Sequence, residues 1–292
     1  MKLLELLQAA EQTLCAAQVE VPDRTARWLW QYVSGMSIGE CFLRQTELVN
    51  PTDADAFLQL VERRARREPL QYLVGETEFC GLPFFVDHRV LIPRPETEQL
   101  VDLAVRAVEQ QLARKNELTI VDVGTGSGAI IVALAVRLQE SDALLRFYAT
   151  DISSDALAVA KINAKRHRVD DRITFVEGTY VTGLPHDVKS IDILLSNPPY
   201  IPIGTKLQPE VAEWEPKIAL YAQHDGLACY EELATLTKSV LAMDGSVAVE
   251  VGVGQADAVS QLWRAALPLA SVQIVQDFRK IDRFVIVSPV EQ

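Results

Sequence analysis

Four consecutive residues, Asn197-Pro198-Pro199-Tyr200, combine polar and rigid groups in a way that suits chemistry on a planar nitrogen. The side-chain carbonyl of Asn197 and the backbone carbonyl of Pro198 can each accept one N–H of an amide or an exocyclic amine. Two acceptors would fix the orientation of a nitrogen whose delocalised lone pair makes it a poor nucleophile, and the two prolines would stiffen the turn. The ring of Tyr200 would pack against one face of the planar group. The alternative is a strand that simply ends at its prolines.

The segment VDVGTGSGAI contains a second candidate site. It lies between a predicted strand and a predicted helix, where doubly wound α/β folds bind their cofactors, although the glycines would also suit a tight turn without a ligand. Its spacing, D-x-G-x-G-x-G, differs from the G-x-G-x-x-G of dinucleotide sites. The Asp122 carboxylate before the glycines is a poor neighbour for phosphate and a good one for an ammonium or sulfonium group.

Another acid, Asp151, ends the next predicted strand. Doubly wound folds hold ribose hydroxyls at this position, and the alternative role is that of an acid at the start of a helix. A loop suited to a sulfonium group, together with a ribose-binding acid, favours S-adenosyl-L-methionine over NAD as the cofactor. Because its methyl group is already activated, transfer to nitrogen needs neither a metal nor a strong base and depends on alignment.

These candidate sites need strands that end at the same edge of a sheet. From Leu118 onward, apolar strand-like segments alternate with helix-like ones, which predicts a doubly wound, mostly parallel sheet. The last two strands are separated by too few residues for a crossover helix and should be antiparallel. The glycine loop, Asp151 and Asn197 then meet at one edge. The predicted strands are LTIVDV, RFYATD, RITFVE, IDILLS, SVAVEVG, SVQIVQD and RFVIVS.

The first part of the chain has a different pattern. Residues 1–75 show helical spacing of apolar residues without strand-like alternation, which predicts a small helical bundle. This bundle is the candidate substrate-docking domain. Residues 76–92 contain two short aromatic and β-branched runs around Gly81, typical of a β-hairpin linker. Residues 93–292 form the predicted α/β domain, which begins with a helix at Pro95.

The composition limits the classes of partner. Lysine and arginine total 28 against 40 acidic residues, a formal net charge of −12 at pH 7. This weighs against sequence-specific nucleic-acid binding, because covering phosphates needs clustered positive charge. Four scattered cysteines and four scattered histidines show no metal-ligand spacing, so no metal is predicted. No stretch is apolar for long enough to span a bilayer, and we expect a cytoplasmic monomer without membrane partners.

The segments that carry these features resemble the PrmC/HemK family, the peptide chain release factor N5-glutamine methyltransferases. The resemblance covers nearly the whole chain and lies in PLQYLVGETEFCGLPFFVDHRVLIPRPETEQLV, DVGTGSGAI, SNPPYIP, EWEPKIALYAQHDGLACYEEL and DRFVIV. It implies an α/β fold of class I, a Rossmann-like, seven-stranded methyltransferase domain with an N-terminal helical bundle and a β-hairpin linker. It also implies methylation of the glutamine amide in the Gly-Gly-Gln loop of release factors, the expected protein partners.

The resemblance and the residue types together assign the site. The residues predicted to bind S-adenosylmethionine are Asp122, Gly124, Thr125, Gly126, Ser127, Gly128, Asp151, Ile152, Tyr180 and Asn197. The residues predicted to bind the glutamine and carry catalysis are Asn197, Pro198, Pro199 and Tyr200. The chain departs from the family at Thr179, where an acid near the adenine is usual, while Tyr180 keeps the aromatic ring that would stack on adenine. Lys280 replaces a common glycine, a tolerated change in a turn.

Three other functions stay open. Methylation of a ribosomal-protein glutamine uses the same chemistry, although the RPETE segment and the helical N-terminal region favour the release-factor branch. A DNA adenine N6-methyltransferase shares an N/D-P-P-Y site but needs a basic cleft and a base-recognition domain, of which this acidic chain shows neither. A non-catalytic binding module would have no need of the intact tetrapeptide.

Weaker signals come from charged residues outside these motifs. The basic cluster Arg63–Arg67 is either a solvated helix face or a docking strip for a release factor or ribosomal RNA. Arg94 and Glu98 either only start a helix or also line the mouth of the active site. Glu215 and Pro216 are expected to shape the loop that follows the tetrapeptide.

Overall fold

The structure, a computed structural model, describes residues 1–289, so the last three residues of the predicted 93–292 domain lie outside it. Its helices are α1 (Leu3–Ala16), α2 (Pro22–Ser34), α3 (Ile38–Leu43), α4 (Pro51–Ala65), α5 (Leu70–Val74), α6 (Glu98–Leu112), α7 (Ala129–Arg137), α8 (Ser154–Arg166), α9 (Pro209–Ala212), α10 (Gln223–Gly226), α11 (Ala228–Val240) and α12 (Ala256–Ala266). Its strands are β1 (Glu76–Phe79), β2 (Leu82–Phe85), β3 (Glu117–Val123), β4 (Leu144–Asp151), β5 (Ile173–Glu177), β6 (Ile191–Ser196), β7 (Ile201–Pro202), β8 (Tyr221–Ala222), β9 (Leu241–Glu250), β10 (Ala270–Gln276) and β11 (Asp282–Pro289).

The chain forms two compact units, and the first is helical. It contains Met1–Glu76 and a separate segment, Leu207–Trp214. Amphipathic helices bury one apolar face each, and their core includes Leu3, Leu6, Leu14, Leu29, Trp30, Phe57 and Val61. The rings of Trp30 and Phe57 meet edge to face with their centroids 5.6 Å apart, a favourable aromatic geometry. The segment Leu207–Trp214 follows the predicted active-site tetrapeptide, and its place in this unit was not predicted from the sequence.

Charged contacts tie this segment to the helices of the same unit. Glu210 of α9 accepts from Arg64 Nη2 at 3.0 Å and from Arg67 Nε and Nη2 at 2.7 and 2.5 Å. These side chains are largely buried: 15% of Glu210, 9% of Arg64 and 18% of Arg67 is exposed. Arg63 makes a further ion pair beside them. Most of the basic cluster therefore has intramolecular partners, which neither of the two sequence interpretations anticipated.

The second unit is built on a seven-stranded sheet. The strand order is β10-β11-β9-β6-β3-β4-β5. Strands β9, β6, β3, β4 and β5 pair in parallel, while β11 pairs antiparallel with both β9 and β10. Every residue of β6 is buried, and α7 is buried along most of its length, as expected for a sheet covered on both faces. The carboxyl ends of β3, β4 and β6 lie side by side.

The β1–β2 hairpin belongs to the core of this second unit. Phe79 and Phe84 are fully buried in the cluster that also contains residues of β3 and α7. Asn163 of α8 fixes the second strand, because its Oδ1 accepts from Phe85 N at 2.7 Å and its Nδ2 donates to Phe85 O at 3.0 Å. The same Nδ2 donates to Ser127 O at 2.8 Å. One buried amide therefore joins the hairpin to the glycine loop.

The predicted fold class is confirmed, with all seven predicted strands present and the last two antiparallel. Strand β9 begins at Leu241, directly after α11, and is therefore longer than the predicted SVAVEVG. The helix predicted from Pro95 starts as a 3-10 turn, Pro95–Thr97, before α6. Within the described part of the chain, no helix combines the length and apolar character needed to cross a membrane.

Candidate active site

The glycine loop connects β3 to α7 at the carboxyl edge of the sheet. The backbone N–H groups of Gly124 and Thr125 donate to Thr150 O at 2.9 and 3.0 Å, which fixes the loop against the end of β4. Gly124 and Gly126 have φ angles of +71° and +55°, and a Cβ added to either would meet no other atom within 4 Å. Both glycines therefore face open space, and a ligand can approach the backbone there.

This open space is a cavity lined by most of the residues that the sequence predicts. Of the predicted set, Gly124, Thr125, Gly126, Ser127, Asp151, Ile152, Tyr180, Asn197, Pro198 and Pro199 line it. Asp151 is held at the end of β4, where its Oδ2 accepts from Gly126 N at 2.8 Å and its Oδ1 from Ser153 N at 2.9 Å. Burial raises the pKa of Asp151, and these backbone donors oppose the shift. Each oxygen keeps a lone pair for a ligand hydroxyl.

Two predicted cofactor contacts, Asp122 and Gly128, do not reach the cavity surface. Asp122 is fully buried beneath the loop, and Thr125 Oγ1 donates to its Oδ2 at 2.7 Å. Burial raises the pKa of Asp122 to about 7. A Cβ at Gly128 would lie 3.0 Å from Ala160 Cβ at a φ of +79°, so glycine here permits close packing of α7 against α8. For both residues a direct cofactor contact stays a prediction, whereas the geometry gives them structural roles.

The tetrapeptide follows β6, as predicted. Ser196, the last residue of this strand, donates through Oγ to Val123 O at 2.7 Å and so ties the ends of β6 and β3 together. Asn197 Nδ2 donates to Thr97 Oγ1 at 3.1 Å. Because this bond orients the NH2 branch toward Thr97, the amide oxygen is the acceptor left for a ligand N–H. Pro198 is buried, and both prolines contribute to the cavity wall.

Tyr200 lies behind the wall rather than on it. Its ring packs against the hydrophobic cluster that contains Tyr230, and burial raises its pKa to about 12. The Tyr200 carbonyl accepts from Gln255 Nε2 at 2.9 Å, and a Cβ at Gly226 would lie 2.1 Å from the same oxygen. The ring is therefore partly buried against this cluster and does not line the cavity, and its predicted contact with a planar substrate group stays a prediction.

Among the weaker candidates, Arg94 lines the cavity and Glu98 does not. Arg94 Nη2 donates to Glu215 Oε1 at 2.6 Å, while Glu215 Oε2 accepts from Ile92 N at 3.2 Å. Glu215 is buried, and these bonds fix the segment before α6. Its expected role in shaping the loop after the tetrapeptide stays a prediction. Glu98 Oε1 instead accepts from Cys80 N at 2.9 Å, which holds the turn of the hairpin.

Comparison with known proteins agrees with this geometry. The PrmC N-terminal domain family matches residues 5–75, and a methyltransferase domain family matches residues 114–268. The release factor glutamine methyltransferase of Chlorobaculum tepidum is 36% identical over 285 residues, which cover 96% of this chain and 95% of that protein. The chain belongs to the release factor glutamine methyltransferase family. The relative from Caulobacter vibrioides is 36% identical over 286 residues, 97% of this chain and 95% of its own. The resemblance predicted from the sequence is confirmed.

A solved structure supports the fold of this release factor glutamine methyltransferase family member independently. The hMettl16 catalytic domain, solved in complex with the MAT2A 3'UTR hairpin 1, matches 90% of this chain and 91% of that chain with a TM-score of 0.53. The two sequences are only 15% identical, so the likeness concerns the fold alone.

The cavity of this family member also contains residues that sequence reasoning did not single out. They come from the segment before α6 and from the chain after the tetrapeptide: Arg89, Val90, Leu91, Pro93, Thr97, Ile218, Ala219 and Cys229. Thr97 lies within IPRPETE, a segment that carried the family resemblance, but its type and position suggested only the start of a helix. Its contact with Asn197 spans 100 residues and has no local signal.

Proposed function

We propose that this protein transfers the methyl group of S-adenosylmethionine to the side-chain amide nitrogen (N5) of the glutamine in the Gly-Gly-Gln loop of peptide chain release factors. Its family supports this substrate, because relatives 36% identical over nearly the whole chain are release factor glutamine methyltransferases. The observation that carries the proposal is that Asn197 and Pro198 line the same cavity as the glycine loop and Asp151.

The residues of the cavity fit S-adenosylmethionine. The backbone at Gly124 and Gly126 faces open space that any Cβ would fill. Asp151 has lone pairs available for ribose hydroxyls, and Tyr180 provides an aromatic ring for adenine beside Thr179. When bound, the cofactor supplies an electrophilic methyl group on a sulfonium sulfur, which takes back the bonding electron pair as the methyl group leaves.

The residues of the tetrapeptide would prepare the acceptor nitrogen. Asn197 Oδ1 and the Pro198 carbonyl each accept one N–H of the glutamine amide and fix its plane. An amide nitrogen shares its lone pair with the carbonyl, so holding both protons favours the geometry in which the lone pair points out of that plane. The nitrogen forms a bond to the methyl carbon and loses one of the held protons to water. Alignment by fixed acceptors is the main contribution expected from the protein.

The charge distribution supports a protein substrate over a nucleic acid. The chain carries a formal net charge of −12, and Arg63, Arg64 and Arg67 of its basic cluster already have acidic partners within the first unit. Affinity for nucleic acid depends largely on cationic side chains that can neutralise phosphates. The choice between a release factor and a ribosomal protein is left to the experiment.

The test is methyl transfer from labelled S-adenosylmethionine by the full-length protein to a recombinant release factor and, in parallel reactions, to ribosomal protein and to DNA, with the methyl group located by mass spectrometry. We expect one methyl group on the Gly-Gly-Gln peptide, and no transfer to a release factor whose glutamine is replaced. Label on ribosomal protein or DNA, with none on the release factor, would contradict the proposal.

A variant tests the role of the tetrapeptide. Asn197→Ala should lower transfer by about a hundredfold or more, which corresponds to loss of a fixed electrostatic acceptor, while the dissociation constant for S-adenosylmethionine changes little. Asn116→Ala is the matched control, because Asn116 is exposed and lies next to β3 at the opposite edge of the sheet. Equal loss of cofactor binding and transfer in Asn197→Ala would show that its role is misassigned.

A further inference from the structure

The side-chain amide of Asn197 is the first member of a hydrogen-bonded chain whose other two members are buried. Its Nδ2 donates to Thr97 Oγ1 at 3.1 Å, and Thr97 Oγ1 donates to Glu250 Oε2 at 2.6 Å. Thr97 is 4% exposed and Glu250 is 1% exposed. Asn197 lies on the cavity wall, Thr97 follows the hairpin segment, and Glu250 ends β9, so three distant parts of the chain meet here.

Glu250, the last member of this hydrogen-bonded chain, sets the direction in which its hydrogen bonds are donated. An ionised carboxylate only accepts hydrogen bonds, so the single hydroxyl proton of Thr97 is committed to Glu250. The Thr97 oxygen then has only lone pairs to offer Asn197, and only the NH2 branch of the amide can use them. A flipped amide would place two acceptors, Oδ1 and Oγ1, against each other in a buried position.

We propose that Thr97 and Glu250 are positioning residues, which hold the Asn197 amide with its oxygen toward the acceptor nitrogen and do so only while Glu250 is ionised. This inference rests on the proposed function, because it concerns the same amide clamp. If Glu250 gains a proton, it can donate to Thr97 Oγ1. The threonine hydroxyl is then free to donate to Asn197 Oδ1 and to stabilise the unproductive orientation.

The groups around Glu250 set the pH at which it gains this proton close to neutral. Burial raises the pKa of Glu250 to about 7, with Glu96 adding to the rise and the Thr97 hydrogen bond opposing it. Arg283 of β11 and Arg94 oppose it as well. Tyr200 and Tyr230 also face it, and their pKa values are raised mainly by burial and further by the charge of Glu250. Both phenols stay neutral over the relevant range, so Glu250 is the member of this hydrogen-bonded chain that titrates there.

The test measures kcat and KM for a release factor, from about pH 6 to 9, with the full-length protein and S-adenosylmethionine. Thr97→Val should lower kcat about tenfold, the effect of one hydrogen bond of this type, with KM and cofactor affinity within about twofold of wild type. Thr97→Ser keeps the hydroxyl and should restore kcat. Wild-type kcat should decrease as the pH falls below about 7 and Glu250 gains its proton. Glu250→Gln keeps an acceptor, so its kcat at pH 8 should fall only a few-fold, but it should lack this decrease toward acid pH.

Thr237→Val is the matched control, because Thr237 of α11 is fully buried and its hydroxyl has no hydrogen-bond partner in the described residues. It should keep the wild-type kcat. The proposed positioning role would be overturned by an unchanged kcat in Thr97→Val or by a loss of kcat in Thr97→Ser equal to that in Thr97→Val. It would also be overturned if Glu250→Gln kept the decrease of kcat toward acid pH. Should Thr97→Val fail to fold or to bind the cofactor, the pH profile of Glu250→Gln decides. A wild-type protein that does not methylate the release factor would instead overturn the proposed function itself.

Discussion

Replacing Asn163 with alanine should destabilise the α/β unit, because this one side chain satisfies three backbone groups. They are the N–H and C=O of Phe85 in the hairpin and the C=O of Ser127 in the glycine loop, at 2.7, 3.0 and 2.8 Å. Asn163 is fully buried, so water would not replace these bonds without rearrangement. The change therefore leaves one donor and two acceptors unpaired.

The magnitude follows from the number of bonds. At about 1 kcal/mol for each buried group left without its partner, the loss is about 3 kcal/mol. Alanine is a better helix former than asparagine by about 0.5 kcal/mol, so the expected net loss in the free energy of unfolding is about 2.5 kcal/mol. For a unit of this size, that lowers the melting temperature by roughly 5 to 10 °C.

The assay is urea and thermal unfolding of the full-length protein, followed by titration calorimetry with S-adenosylmethionine. Because Ser127 loses a loop anchor, cofactor affinity should also fall, by a few-fold. Lys165→Ala, an exposed position on the same helix, should change stability by less than about 0.5 kcal/mol. A change in Asn163→Ala no larger than this control would refute the reasoning.

Asn163→Asp is a second test of the same contacts, because it replaces the amide NH2 that donates to two carbonyls with an oxygen that can only accept when ionised. At pH 8 the variant should be less stable than Asn163→Ala, since a buried carboxylate would face Phe85 O and Ser127 O. Protonation would convert it to a donor, so the difference between the two variants should shrink as the pH falls. Asn163→Asp as stable as wild type at pH 8 would contradict the assigned orientation of the amide.

Two further predictions concern buried charge. Because the folded-state pKa of Asp122 is raised from 3.8 to about 7, the folded protein binds this proton more tightly than the unfolded chain. The free energy of unfolding should therefore fall by up to about 4 kcal/mol as the pH rises from 4 to 7. Urea unfolding of Asp122→Asn should lack this decrease. The same pH dependence of the unfolding free energy in the variant and in wild type would exclude Asp122 as its source. Glu210→Gln removes both ion pairs to Arg64 and Arg67 and should cost about 2 kcal/mol in thermal unfolding of the first unit. Glu11→Gln, at an exposed position on α1 of the same unit, provides the control, and equal stability of the two variants would mean that the ion pairs contribute nothing.

The elements that the sequence predicted best are those with a strong local period. The run from Ile191 to Ser196 is buried at every residue, and its apolar character and terminating prolines are visible without any partner. The same holds for β3 and for the closing pair β10 and β11, whose short connection dictates antiparallel pairing. Local signals of this kind also placed the glycine loop, Asp151 and Asn197 at one edge.

The parts that were not predicted depend on partners far away in the chain. Glu210 pairs with two arginines that precede it by 143 and 146 residues. Because no local pattern signals these pairs, the sequence indicated an exposed basic cluster. The bond from Thr97 to Glu250 spans 153 residues. Neither glutamate carries a local pattern that identifies its partner, and only the folded chain brings each pair together.

The positions of the buried acids suggest why the cavity suits an uncharged acceptor such as a glutamine amide. Asp122 and Glu250 are almost completely buried, and neither lines the cavity. Each accepts a hydrogen bond from a threonine that does line it, Thr125 at 2.7 Å and Thr97 at 2.6 Å. The threonine hydroxyls therefore direct their protons away from the cavity and present oxygen lone pairs toward its wall. An amide nitrogen must remain free of competing donors to attack a methyl group, and this arrangement removes two hydroxyl donors from its surroundings.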